Sequence, residues 1–244
     1  RVAMGPNSTQ AASSAEGLAG LLEEMGDFAA ARPLRQSALT SRIAVQGAEN
    51  GETARARGDF ARLLLVLGER DSARTQAERA LAAREKAYDA ASPNLLNELL
   101  TLGDIRRADG DHAGALALYA RAERAVRDSM RAGDARLATV LRRVGHTRLA
   151  MGDARGSAGA YASGREIAAG ALGAGHPLTA DLTADLANAR GRAGDTAGAL
   201  ALALEAEAAG PRQFELQSRT LSEREALLYE RTLTLNGVSK AYCM

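Results

Sequence analysis

The sequence predicts an all-α fold built as an array of five helix pairs. Three observations carry that expectation. First, a Gly followed by an acid recurs at Met25-Gly26-Asp27, Leu67-Gly68-Glu69, Asp109-Gly110-Asp111, Met151-Gly152-Asp153 and Ala193-Gly194-Asp195, with the glycines 42 residues apart at every step. A fixed period of that size marks a repeat array. Second, small residues fall into columns on either side of that turn. Third, 46% of the 244 residues are apolar but only 3% are aromatic, with no Trp. Ala and Leu supply most of that apolar content, and they are the strongest apolar helix formers, whereas strands favour β-branched and aromatic residues.

Each element follows from the register of the turn. Seven positions before each Gly stand Ala19, Ala61, Gly103, Gly145 and Ala187. Five after it stand Ala31, Ala73, Ala115, Ser157 and Ala199, and twelve after it Ala38, Ala80, Ala122, Gly164 and Ala206. Side chains must be small where two helix backbones approach closely. The neighbouring apolar column of Leu18, Phe60, Leu102, Val144 and Leu186 fills the space between. Every unit thus reads helix A, Gly turn, helix B. Gly at C′ takes the left-handed conformation that ends helix A, and the acid after it starts helix B, where it favours the dipole and Asp can cap.

The spacing predicts A helices near 10–25, 52–67, 94–109, 136–151 and 178–193. It predicts B helices near 28–46, 70–88, 112–130, 154–171 and 196–209. Pro93 and Pro177 suit the first turns of their A helices, and Pro33 falls near the first turn of its B helix, where a lost N–H bond matters least. After Pro211 the periodicity stops. Ser222 as N-cap, Glu225 at N3 and Leu221 as staple then predict one more helix over 223–235, ended by Asn236-Gly237.

The columns resemble the tetratricopeptide repeat, best seen in Leu18-Ala19, Gly26-Asp27-Phe28, Ala31 and Ala38-Leu39. The usual period is about 34 residues. At 42, the repeat is similar to the longer kinesin-light-chain-like variant, as is the entry His176-Pro177-Leu178-Thr179-Ala180. The resemblance covers about residues 7–210 and implies a right-handed α-solenoid of five tetratricopeptide-like helix pairs plus a C-terminal helix. Arg106, Arg148 and Arg190 depart from it, standing where a large apolar residue is usual; Arg165 and Glu207 replace the Leu of Ala-Leu. A second resemblance, over Arg212-Gln213-Phe214 and Thr220 to Tyr229, is to the linker that joins such repeats to a CHAT domain, a caspase-like domain with a His/Cys dyad, in bacterial proteins. It implies an array over 1–210 and, over 211–244, a linker, capping helix and tail leading to a CHAT-type domain outside this sequence. The start at Arg1 rather than Met fits a fragment.

Function classes narrow accordingly. Formal net charge is +1 with both signs interspersed, against the one-signed patch that nucleic acid or a membrane surface requires. The single cysteine, Cys243, allows no internal disulfide and points to a reducing, cytoplasmic setting. It lies in the tail without a base beside it in sequence, so no catalytic residue is assigned. His112, His146 and His176 fall in different repeats without metal-ligand spacing, and Gly173-Ala174-Gly175 follows no strand, so neither metal nor cofactor is assigned.

The family resemblance makes the solvent-facing A-helix positions a peptide-binding groove. Carried over by column, its candidates are Arg55, Arg62, Asn97, Asp104, Arg107, Arg142, His146, Asn188 and Arg192, with Glu16, Glu23 and Glu24 in repeat one. The groove is expected to run from acidic to basic, suiting an acidic or C-terminal peptide. The leading expectation is a non-enzymatic protein- or peptide-binding scaffold. The alternatives are a sensor region of a CHAT-domain peptidase and a self-assembly scaffold. The bland reading of the nine residues is an ordinary solvated helix face.

Overall fold

The computed structural model describes residues 8–129 and 134–205. The described residues form helices joined by short turns, with no strand among them. The helices are α1 Thr9–Glu24, α2 Phe28–Gln46, α3 Gly51–Val66, α4 Arg70–Glu85, α5 Leu96–Ala108, α6 His112–Ser129, α7 Ala135–Ala150, α8 Ala154–Leu172 and α9 Pro177–Arg192. A further helix, α10, covers 196–205. The helix expected over 223–235, the CHAT-linker segment and Cys243 lie outside the described residues.

Two compact units divide the chain after residue 132. In the first, α1–α2, α3–α4 and α5–α6 are the helix pairs, α2 packs on α3 and α4 on α5, and α3 also meets α5. In the second, α7 pairs with α8, α8 packs on α9, and α7 also meets α9. Leu202 of α10 joins the core formed with Leu182 and Leu186 of α9 and Tyr161 of α8.

The turn that sets the register is one hydrogen-bonded motif used five times. Gly26, Gly68, Gly110, Gly152 and Gly194 all have φ between 79 and 89°, the left-handed region that disfavours a side chain. In repeat one the Asp27 N–H donates to the Leu22 carbonyl at 2.8 Å and the Gly26 N–H to Glu23 at 3.0 Å. That crossed pair is a Schellman motif, and it satisfies carbonyls the helix end would leave orphaned. The same crossed bonds recur at the other four turns. Asp27, Asp111, Asp153 and Asp195 then cap the next helix, each accepting from the N–H three residues on at 2.8–3.0 Å. Glu69, one methylene longer, makes no cap bond. It accepts instead a two-pronged bond from Arg32 of the preceding repeat, at 2.7 and 2.9 Å.

The small-residue columns form the seams. Ala19, Ala61, Ala31, Ala73, Ala115, Ala38, Ala80 and Ala122 are all buried. Where the column seven before the turn is Gly, a tyrosine fills the gap. A Cβ on Gly103 or Gly145 would stand 2.4 Å from the ring of Tyr119 or Tyr161, and both rings are buried. Repeats two and five have Ala61 and Ala187 in that column, with Ala77 and Ala203 in place of the tyrosines. Leu18 is 50% exposed, although its column mates Phe60, Leu102, Val144 and Leu186 are at most 8% exposed. Among the described residues no earlier helix pair stands against α1.

Two details differ from the sequence reading. α4 stops at Glu85 rather than near 88. α2 and α8 run on to Gly47 and Gly173, which leave the helix with φ of 87 and 93°; the same column in repeat two is Asp89. There the chain turns early, with the Tyr88 N–H on the Arg84 carbonyl and the Arg84 guanidinium over the Tyr88 ring. Pro33 sits deeper than the first turn of α2, which nonetheless stays helical to Gln46. The off-pattern arginines find polar partners at the turns: Arg106 reaches Asp111, Arg148 the Gly156 carbonyl, and Arg190 Asp195. Arg165 bonds Thr183 and Glu205. No helix among the described residues is long and apolar enough to cross a membrane.

Candidate functional site

The candidate groove residues of the first unit lie on α3 and α5. Arg55 and Arg62 share one acid, Asp59, which stands between them on α3: Arg55 Nη1 is 3.4 Å and Arg62 Nη2 2.6 Å from its carboxylate. These are the i,i+4 and i,i+3 neighbours that a helix face brings together. Arg55 also reaches Glu52 on its own helix and Glu16 on α1. Arg35 of α2, whose Nε and Nη2 grip Glu23, also stands 3.6 Å from Asp59 through its Nη1.

Glu16 is the anchor of this network. It is buried, and Arg42, also buried, holds it through two bonds of 2.5 and 2.8 Å. Burial pushes the Glu16 carboxyl up, but the Arg42 hydrogen bonds and charge, joined by Arg55, outweigh it and hold it below the usual carboxylate range. For Arg55 burial acts to lower the pKa, and the charges of Glu16, Asp59 and Glu52 raise it on balance.

On α5, Asn97 is exposed. Asp104 accepts the Tyr119 hydroxyl at 2.8 Å. Burial first, then the Asp104 charge, push that phenol up, so Tyr119 acts as a neutral donor. Arg107 is half-buried, and its Nε has no hydrogen-bond partner among the described residues.

The second unit carries its own constellation on α7 and α9. Arg142 donates to Asp185 and Asp181, each at 2.7 Å, and His146 Nε2 lies 3.2 Å from the same Asp185 oxygen. The His146 ring meets Tyr161 edge-on at 5.6 Å. Burial raises Asp185, but the bonds from His146 and Arg142 bring it below the ordinary aspartate value. Asn188 accepts from Arg192 at 3.0 Å, one helical turn away, and both are exposed. His176 caps α9, its Nδ1 accepting from the Leu178 N–H at 3.1 Å.

The charge pattern of the A helices is therefore interleaved rather than graded from acidic to basic. Arg55, Arg62 and Arg142 are forks already loaded with carboxylates. Sequence reasoning missed Asp59, Asp181 and Asp185. Asp59 and Asp185 occupy the same column, nine before the turn glycine, so an acid shared by repeats two and five at one A-helix position was the available signal. Among the described residues no group of three or more His, Cys, Asp or Glu is placed to hold a metal ion.

Residues 10–86 match the family model described as tetratricopeptide repeat. No curated protein matches the chain significantly by sequence. Similar solved structures include the nearly identical TPR-like repeats of a Podosopora anserina protein described as kinesin light chain, at 18% identity and a TM-score of 0.69, over 84% of this chain and 97% of that one. BtubC (BKLC) from P. vanneervenii is similar at 19% identity and 0.68, over 81% and 78%. A Rap protein complexed with Competence and Sporulation Factor is similar at 16% identity and 0.65, over 81% and 51%. At these identities the likeness is one of fold.

Proposed function

We propose that this chain, which carries tetratricopeptide repeats, is a non-enzymatic protein- or peptide-binding scaffold of the cytoplasm that engages its partner through the exposed faces of its A helices. The observation that carries the reading is the division of labour on α3, α5, α7 and α9. The packing columns are filled with small and apolar side chains, while the remaining stripe presents Arg, Asn, Asp and His held in place by their neighbours. One of the fold neighbours, the Rap protein, is complexed with Competence and Sporulation Factor, which supports the reading.

Pre-paired arginines change the mechanism of recognition. Arg62 is half-exposed and uses one Nη on Asp59, leaving other guanidinium donors for a ligand. A partner carboxylate competes with Asp59 and Asp185 for forks already oriented by them, so little side-chain entropy is lost on binding. Partners with acidic side chains or a free C-terminus fit this exchange best, and their binding weakens with salt.

The test is charge reversal. Arg62→Glu combined with Arg107→Glu is expected to weaken the partner by about tenfold or more, the order expected for lost charge-assisted bonds, while the helical circular dichroism is unchanged. Equal affinity of wild type and double variant in a calorimetric titration would sink the assignment. The partner for that titration comes from affinity capture and mass spectrometry with the wild-type chain.

A further inference from the structure

A second polar cluster lies on a different face of α3. Arg57 is two residues from Arg55, about 200° around the helix, and is turned towards α4. It is only 7% exposed. Its column, eleven before the turn glycine, holds Leu99 and Leu141 in the next two repeats and Thr183 in the fifth, all buried. Facing it, Gln76 stands in a column otherwise filled by Leu34, Leu118, Ala160 and Leu202. Repeat two therefore places a cation and an amide where the array elsewhere packs mainly apolar groups. A local departure of that kind, without a gain in packing, points to function.

Among the described residues Arg57 has one hydrogen bond, from Nη1 to Gln76 Oε1 at 3.0 Å, and no carboxylate partner. Buried arginines are ordinarily paired, and the other two here are: Arg35 and Arg42 each hold acids and have raised pKa values. Arg57 goes the other way, lowered by burial and then by the neighbouring Arg79 charge, with only Glu49 opposing. Arg57, Arg79 and Lys86 line an open cleft of about 310 Å³ with Ala48, Glu49 and Ala82. Arg79 is exposed and has no ion-pair partner among the described residues. The one acid lining the cleft, Glu49, is held by Lys86 at 2.5 Å. Three cations against one carboxylate leave the cleft two charges positive.

We propose that this cleft, between the α2–α3 loop and the C-terminal part of α4, binds a phosphate-type oxyanion. Two guanidinium groups and an ammonium supply more donors than a single carboxylate can accept, and their excess charge matches that of a phosphate monoester. Arg57 is the buried anchor, Arg79 and Lys86 close over the oxyanion, and Glu49 is the internal competitor that the ligand displaces from Lys86. The phosphate comes either free, as a small phosphorylated molecule, or on a phosphorylated side chain of a partner.

The experiment is a calorimetric titration of the full chain with inorganic phosphate, with a phosphoseryl peptide as second ligand and acetate as control. Saturable phosphate binding is expected, weakened about tenfold by Arg79→Ala, weakened also by Arg57→Met, and strengthened by Glu49→Gln. Arg79 and Glu49 are exposed, so their variants decide the matter even if Arg57→Met disturbs folding. Tighter binding of the peptide assigns the site to a phosphorylated partner; equal binding assigns it to a small phosphate. Non-saturating phosphate binding, an unchanged affinity in Arg79→Ala, or acetate bound as tightly as phosphate would each overturn the proposal.

Discussion

Gly103→Ala is expected to destabilise the first unit even though it replaces a helical glycine by the best helix former. The added Cβ would stand 2.4 Å from Cε1, 2.9 Å from Cζ and 3.0 Å from Cδ1 of Tyr119. The ring is fully buried and its hydroxyl is tied to Asp104, so it has nowhere to retreat. Overpacking of this kind costs about 1–3 kcal/mol, against a helix-propensity gain of up to about 1 kcal/mol. Tyr119→Ala alone leaves a cavity and is expected to cost about 3–5 kcal/mol. The double variant recreates the Ala61–Ala77 pairing of repeat two. Its loss in thermal or urea midpoint should therefore be clearly smaller than the sum of the single losses, a coupling of about 1–3 kcal/mol. Additive losses would mean that the glycine and the tyrosine are not filling one gap.

The second large effect is expected at Glu16. Truncation to Ala strands Arg42, whose side chain is only 5% exposed, with Gln46 and Ser13 at 3.3 Å as its remaining partners. Breaking one side of a buried pair typically costs about 3–5 kcal/mol, whereas replacing both partners by apolar groups of similar volume is often neutral or stabilising. Glu16→Leu with Arg42→Met should therefore be more stable than Glu16→Ala. The pair also carries a pH dependence. The Glu16 pKa is lowered in the fold, so its stabilisation is fully present above the unfolded value of about 4.5. It is lost as pH falls below that value through the folded one. Asp185 of the second unit has the same sign. An acid-unfolding series should show the wild type losing more stability over that window than the Leu/Met variant; parallel curves would contradict the pairing.

The parts of the fold most legible in the sequence were those fixed by backbone chemistry. A left-handed glycine followed by a capping acid has few residue solutions, so five turns could be found and the helices placed from them. The seams were legible for a related reason: close approach admits Ala, Gly or Ser and little else. The end of α4 was not, because it depends on a glycine that repeat two lacks, and on an Arg84–Tyr88 contact that no short-range rule specifies. The candidate groove was legible as a set of columns but not as an electrostatic object. Arg55, Arg62 and Arg142 look like free cations when read singly. Their partners Asp59, Asp181 and Asp185 are one turn away or on the next A helix, and only geometry decides which of several nearby acids is taken. Arg57 was hidden for the opposite reason. A charged residue in a helix reads as solvated until the packing columns show that its neighbours by register are leucines.

Scaffolding through the A helices is tested most directly by hydrogen–deuterium exchange of the full chain with and without its captured partner. The prediction is added protection on peptides from α3 and α5, or from α7 and α9, with the paired B helices α4, α6 and α8 little changed. Protection confined to the B helices, with the A helices exchanging as in the free chain, would contradict it.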